Sequence, residues 1–207
     1  MSIEITHQEK PTTQDKIDDE DYMLPHHIEG VLPDYTGLSG KTIQVPLLIE
    51  EKTVSDVSEV KFSNLNGDVD EGYILVSDLI LSPGNPEQQI YLKFNGDGTA
   101  NNYTNNILNF ATTYGSSVNW SSPYCIMTRS YTSGSTVKSY SKTDIRTKKG
   151  HYRFYYSRFN LSSPVNGWIS VRWNNLVDNI TSLVISSSIR KFSGVLRLYK
   201  IIHIELE

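Results

Sequence analysis

At 207 residues, with 38% hydrophobic and 20% charged residues, the chain holds enough material for one well-buried domain with roughly a quarter of its length to spare. This composition excludes a disordered tail. The longest apolar runs, such as Val45 to Ile49, fall far short of the roughly 20 residues a membrane-crossing helix needs, so no membrane insertion is expected. The net charge of −4 hides an asymmetry: residues 1 to 60 hold thirteen acids against Lys10, Lys16, Lys41 and Lys52, whereas the remainder holds fifteen bases and ten acids. An acidic leading segment on a mildly basic body can lie against its own body or against a neighbour's.

From Met1 to about Asp21 there is almost no apolar periodicity, and the stretch ends in Asp18-Asp19-Glu20-Asp21. Such a segment buries too little surface to order by itself. Met1 to Lys10 carries no hydrophobic core of a secretory signal, so a cytoplasmic origin is expected, and Asn102, Asn119, Asn160 and Asn179 in their Asn-x-Ser/Thr triplets read as strand-end chemistry rather than glycosylation sites. Between Tyr22 and Pro46, Pro25, Pro33, Pro46, Gly30, Gly37 and Gly40 forbid a long helix and break long strands, although a short helix near Pro25 to Gly30 is allowed. The same segment holds Leu24, Ile28, Val31, Leu32, Tyr35 and Leu38, each worth roughly 1.5–3 kcal/mol if fully buried. Something must cover them: either the arm wraps its own body, or these six residues dock on another subunit or a larger assembly. Residues 1–55 are therefore read as an extended N-terminal arm for assembly or anchoring, and residues 56–207 as the folded domain.

From Val60 onward the pattern changes to short runs rich in Val, Ile, Tyr and Thr, separated by Gly, Asn, Pro and Ser. The spacing predicts strands at 58–64, 72–81, 88–95, 105–111, 124–131, 135–146, 151–161, 167–174, 180–187 and 194–205. That many strands at this interval predict an all-β antiparallel sandwich or barrel. Tyr73, Leu75, Ser77 and Leu79 should share one face of their strand, as should Ile90, Leu92 and Phe94; Trp168, Ser170 and Arg172 should oppose Ile169, Val171 and Trp173. Turn chemistry punctuates these runs at Leu65 to Asp68, Ser82 to Asn85, Asn95 to Gly98, Ser133-Gly134 and Asn166-Gly167. Ala111 to Pro123 reads as a long exposed loop.

Chemistry is sparse. The histidines, His7, His26, His27, His151 and His203, stand in no nucleophile motif. Cys125, the single cysteine, can form no intrachain disulfide and reads as a buried inert thiol. The acids of the body sit at turns without the apolar framing that raises a catalytic pKa, and neither the Asn66 to Asp70 and Asn95 to Gly98 stretches nor His26-His27 has the ligand spacing of a metal loop. No enzyme activity, cofactor or metal is expected.

Between 129 and 158, Arg129, Lys138, Lys142, Arg146, Lys148, Lys149, Arg153 and Arg158 interleave with Tyr131, Tyr140, Tyr152, Phe154, Tyr155 and Tyr156. Single-stranded nucleic-acid sites use this mixture, but strand alternation would turn many aromatics inward and the bases outward, so a solvated basic face is favoured. Tyr114, Trp120 and Tyr124, in or beside a Ser/Asn-rich loop, form a candidate glycan-binding site, to be weighed against core packing of the same rings.

The C-terminal run Trp168-Ile-Ser-Val-Arg-Trp173, with Asn179-Ile-Thr-Ser-Leu-Val-Ile-Ser-Ser-Ser188 and Phe192-Ser-Gly-Val-Leu-Arg-Leu-Tyr199, resembles the ending of β-sandwich domains in virion proteins of tailed bacteriophages. In those domains a strand, a short turn and a closing strand complete a jelly-roll-like core. The resemblance implies a virion structural protein assembled in the host cytoplasm: a head fibre, decoration or tail-associated protein, held by its N-terminal arm to other virion proteins and forming a homo-oligomer. The alternative expectation is a carbohydrate-binding module recognising a host-surface glycan.

Overall fold

The computed structural model describes residues 42–82, 88–99, 102–110, 115–122, 125–129, 136–148, 150–162 and 166–205, with backbone alone at 109–110, 115–122 and 129. Among them are twelve strands and no helix: β1 (Thr42–Val57), β2 (Glu59–Phe62), β3 (Tyr73–Leu81), β4 (Gln89–Phe94), β5 (Tyr103–Phe110), β6 (Gly115–Ser122), β7 (Ile126–Arg129), β8 (Val137–Arg146), β9 (Arg153–Leu161), β10 (Asn166–Trp173), β11 (Leu183–Ser187) and β12 (Phe192–Glu205). Contacts divide the chain into a unit of Val45–Ile202 and a second of Met1–Gln44 with His203–Glu207. In the second unit the described side chains include Gln44 and His203, whose Nε2 atoms lie 2.9 Å apart.

An eight-stranded sheet runs β1-β12-β3-β8-β9-β10-β5-β6, and a four-stranded sheet runs β2-β11-β4-β7. Set aside β5, β6, β9 and β10, and the sheets reduce to β1-β12-β3-β8 and β2-β11-β4-β7. In that reduced order the chain crosses between sheets at every connection except β4 to β7, which is the path of a jelly roll. The four remaining strands are two insertions, β5-β6 after β4 and β9-β10 after β8, both added to the same side of the larger sheet. The fold is thus an all-β antiparallel sandwich of jelly-roll topology.

Alternation fixes which side chains enter the core. Tyr73, Leu75, Ser77 and Leu79 of β3 are buried, as are Ile90, Leu92 and Phe94 of β4 and Ile169, Val171 and Trp173 of β10. Phe94 is the hub: its ring lies 5.3 Å from that of Trp173, 6.1 Å from Tyr155 and 6.5 Å from Tyr103. Between Val137 and Ile145, the core beneath β8 is not aliphatic. Ser139, Ser141 and Thr143 point inward and are satisfied by hydroxyl partners: Ser77 with Ser141 at 2.6 Å, Thr128 with Ser139 at 2.9 Å, and Thr143 donating to Ser157 at 3.0 Å. Ser157 in turn donates to the Met127 carbonyl at 2.8 Å, joining β9 to β7 of the opposite sheet. Short side chains that bond one another let β7 approach without stranding a polar group.

Each strand expected from the sequence is present, with shifted ends. Two more were not expected. Residues 42–55, read as the end of the arm, belong to β1, and Gly115–Ser122, read as loop, is β6; these are the two outer strands of the large sheet. β1 contains Pro46, which an edge strand accommodates because one side of its backbone needs no amide donor. β6 has a single β-branched residue, Val118, and among the described strands its ladder is to β5. Asn166 and Gly167, read as a turn, are the first residues of β10. The Asn95-Gly96 turn is as expected, both residues having positive φ of 54° and 72°.

Candidate functional site

The outer face of the eight-stranded sheet, turned away from the four-stranded one, carries the exposed aromatic and basic residues. Register sets them in rows across β10, β9 and β8. Trp168 faces Arg158, which faces Lys142. On one side of that row run Ser170, Tyr156 and Asp144; on the other run Asn166, Asn160 and Tyr140. Trp168 is 57% exposed, Tyr156 53% and Tyr140 46%, so the fold forgoes part of the burial energy that these rings could supply. Arg158 sits 5.9 Å from the Trp168 ring centroid, within cation–π range. An open cleft of about 480 Å³ is lined by Arg158, Phe159, Asn160, Asn166, Gly167 and Trp168. Gly167 is required there: a Cβ would fall 2.7 Å from both the Leu108 carbonyl and the Phe159 ring.

Of the split expected for residues 129–158, the outward bases hold for Lys138, Lys142, Arg146, Lys148 and Arg158, whereas the inward aromatics are corrected. Tyr140 and Tyr156 point outward beside Lys142 and Arg158, whereas Arg153 is wholly buried. The inward positions at the middle of β8 are Ser139, Ser141 and Thr143, with Ser157 opposite Thr143 on β9, while Tyr140 and Tyr156 lie on the solvent side. Phe154 and Tyr156 meet edge-to-face at 5.3 Å, and Arg172 lies 4.5 Å from the ring centroid of Tyr152.

Away from this face, the ionisable groups serve the fold. Asp97 accepts hydrogen bonds from the Trp173 indole at 2.8 Å, Asn102 at 2.7 Å and the Thr99 amide at 2.9 Å. Burial opposes its charge, but these donors outweigh burial and hold its carboxyl below the usual range. Asp70, bonded by the Tyr73 hydroxyl and Lys200, is held low in the same way against its own desolvation. Asp68 pairs with Arg153 at 3.0 Å. The Asn66 to Asp70 and Asn95 to Gly98 stretches therefore direct their carboxylates to protein donors, and among the described residues no three His, Cys, Asp or Glu side chains gather as a metal site. Cys125 is fully buried beside Tyr103 and Tyr155, and desolvation pushes its thiol well above the ordinary range.

Of the sequence-predicted glycan residues, Trp120 lies in β6, where pairing slips so that Trp120 and Ser121 together oppose Thr104. Tyr114 and Tyr124 lie outside the described residues, as do the arm residues Leu24, Ile28, Val31, Leu32, Tyr35 and Leu38. The Trp168 cluster escaped sequence reading because its members come from three strands. The available signal was Trp168 alternating with Ile169, Val171 and Trp173, which marks it as outward-facing.

No family model matches the chain, and no curated protein matches it. Among solved structures, a protein of unknown function from Shewanella oneidensis MR-1 aligns over 95% of this chain and 97% of its own, at 8% identity and a TM-score of 0.23. A likeness at that level carries no argument about fold or function.

Proposed function

We propose that the chain is a non-catalytic structural component of a virion, a head fibre, decoration or tail-associated protein, presenting its β-sandwich at the particle surface and attached through its N-terminal segment. One observation carries this reading. Of the three C-terminal runs that resemble tailed-phage virion proteins, Trp168–Trp173 lies in the inserted β10, while Asn179–Ser188 holds β11 and Phe192–Tyr199 begins β12; these two strands lie in opposite sheets and close the jelly roll, β11 between β2 and β4, β12 between β1 and β3. The closing position of β11 and β12 in the jelly roll is what supports this reading.

In this reading Leu24, Ile28, Val31, Leu32, Tyr35 and Leu38 find their cover on another virion protein. The experiment is a deletion of residues 1–40, which keeps β1 entire. The shortened protein is expected to remain folded, by its urea transition, and to be missing from purified particles that contain the full chain. Normal incorporation of the shortened protein overturns the anchoring role, and absence of the full chain from purified particles overturns the virion reading itself.

A further inference from the structure

We propose that the outer face of β8, β9 and β10 is a binding site for a carboxylate-bearing glycan, with Trp168 as the platform under a sugar ring and Arg158 and Lys142 as the receptor for its acid group.

One pairing on this face lacks a counter-charge among the described residues. Arg158 and Lys142 stand directly opposite each other in the β8-β9 ladder. Like charges so placed destabilise a sheet. Among the described residues neither makes an ion pair, and both are exposed. Elsewhere on the same sheet Arg197 is matched by Glu51 at 2.6 Å, so the sheet supplies counter-charges where it needs them. An anion arriving from outside would relieve the repulsion, and the planar fork of an arginine fits a carboxylate with two parallel hydrogen bonds.

The neighbours of this pair specify more than charge. Trp168 lies opposite Arg158 on the other side, near the start of β10 and more than half exposed, where its flat face can stack on the C–H face of a sugar ring. Asn160 and Asn166, facing each other in the next row, offer amide donors and acceptors suited to hydroxyl groups. The cleft of about 480 Å³ along Trp168, Arg158 and the two asparagines lies within the span of roughly 300–1,000 Å³ usual for small-ligand sites.

Charge also separates a glycan from a nucleic acid. Asp144 lies one row from Lys142 on β8, and Asp78 faces Tyr140 from β3. These carboxylates would repel a backbone bearing a phosphate at every residue, yet they can accept hydrogen bonds from sugar hydroxyls. The face is built for one isolated acid group among hydroxyls. This site uses none of Tyr114, Trp120 and Tyr124, and it does not depend on the virion reading.

The test is calorimetric titration of the purified full chain with oligomers of galacturonate, glucuronate and mannuronate, with sialyllactose, with the methyl-esterified form of each, and with an oligothymidylate. At least one acidic saccharide is expected to bind, its methyl ester at least about tenfold more weakly. Trp168→Ala and Arg158→Gln should each weaken that binding by about 10- to 100-fold while keeping the wild-type urea transition. Failure of every acidic saccharide to bind, equal affinity for a methyl ester, unchanged affinity in both variants, or binding of the oligothymidylate alone would each overturn the proposal. Because no particle is involved, these outcomes are independent of incorporation.

Discussion

Arg153 and Asp68 are separated by 85 residues, yet their side chains meet at 3.0 Å with the guanidinium wholly buried. The other donors are also used: Nε bonds the Thr147 carbonyl at 3.1 Å and Nη1 the Asn175 carbonyl at 2.9 Å, with the Trp173 ring centroid 5.6 Å away. One side chain thereby ties the turn after β2 to the segments following β8 and β10. Arg153→Ala is expected to cost about 3–5 kcal/mol in urea unfolding, because it removes a buried cation together with its bonds to Asp68 and to two carbonyls. Arg153→Lys should recover only part, since one ammonium cannot reach three acceptors at fork spacing. A loss below about 1 kcal/mol for the alanine variant would show that the network is not holding these segments.

Gly194 pairs with Leu79 where β12 crosses β3, at φ +137°, and a Cβ there would fall 2.1 Å from the Asp78 carbonyl. Gly194→Ala should therefore cost about 2 kcal/mol or more, because backbone must move. Gly150 is the control: its φ of +77° is also left-handed, but nothing stands within 4 Å of an added Cβ. Alanine there should cost only about 1 kcal/mol from backbone strain. Equal losses for the two, by thermal unfolding, would rule out the close approach as the cause.

Acid sensitivity should arise at Asp70 and Asp97. Both carboxyls are held low in the folded chain, so as pH falls the unfolded chain takes up their protons first. The stability they contribute is present above the ordinary carboxyl value, near 4, and is lost as pH drops through the lower folded values. The urea midpoint is thus expected to fall steeply below about pH 4, and Asp97→Asn should flatten part of that slope. An unchanged slope in that variant would remove Asp97 from the account.

Cys125 should be silent. Full burial keeps its thiol protonated at neutral pH and shields it from reagents, so modification by a disulfide reagent should wait for unfolding. The expected result is a negligible rate in buffer and complete reaction in urea; rapid labelling of the native protein would contradict the packing of β7 against β4.

Legibility in the sequence followed the physics of position. Central strands such as β3 and β10 are buried on one face and must alternate, so Tyr73 to Leu81 and Trp168 to Trp173 announced themselves. β1 and β6 are held along one side only and need no such pattern; Pro46 and the serines of Gly115–Ser122 could sit there and look like arm and loop. For the outer face, period two shows that Tyr155 and Tyr156 point opposite ways but not which way is in. That choice was made by the hydroxyl pairs of Ser77, Ser141, Thr143 and Ser157, which no local pattern reveals. The juxtaposition of Trp168, Arg158 and Lys142 depends on strand register, a property of the assembled sheet.

The two inserted hairpins have a consequence for how the molecule is made. In the large sheet β5 is bound to β6 on one side and to β10 on the other, so among the described residues Tyr103–Phe110 and Gly115–Ser122 have no other strand ladder until Asn166–Trp173 have emerged from the ribosome. During synthesis at about 5–20 residues per second, the β5-β6 hairpin must wait several seconds with its β10 edge open. That edge is a ready template for strands of other nascent chains, which makes the interval before β10 arrives the period of greatest exposure to aggregation.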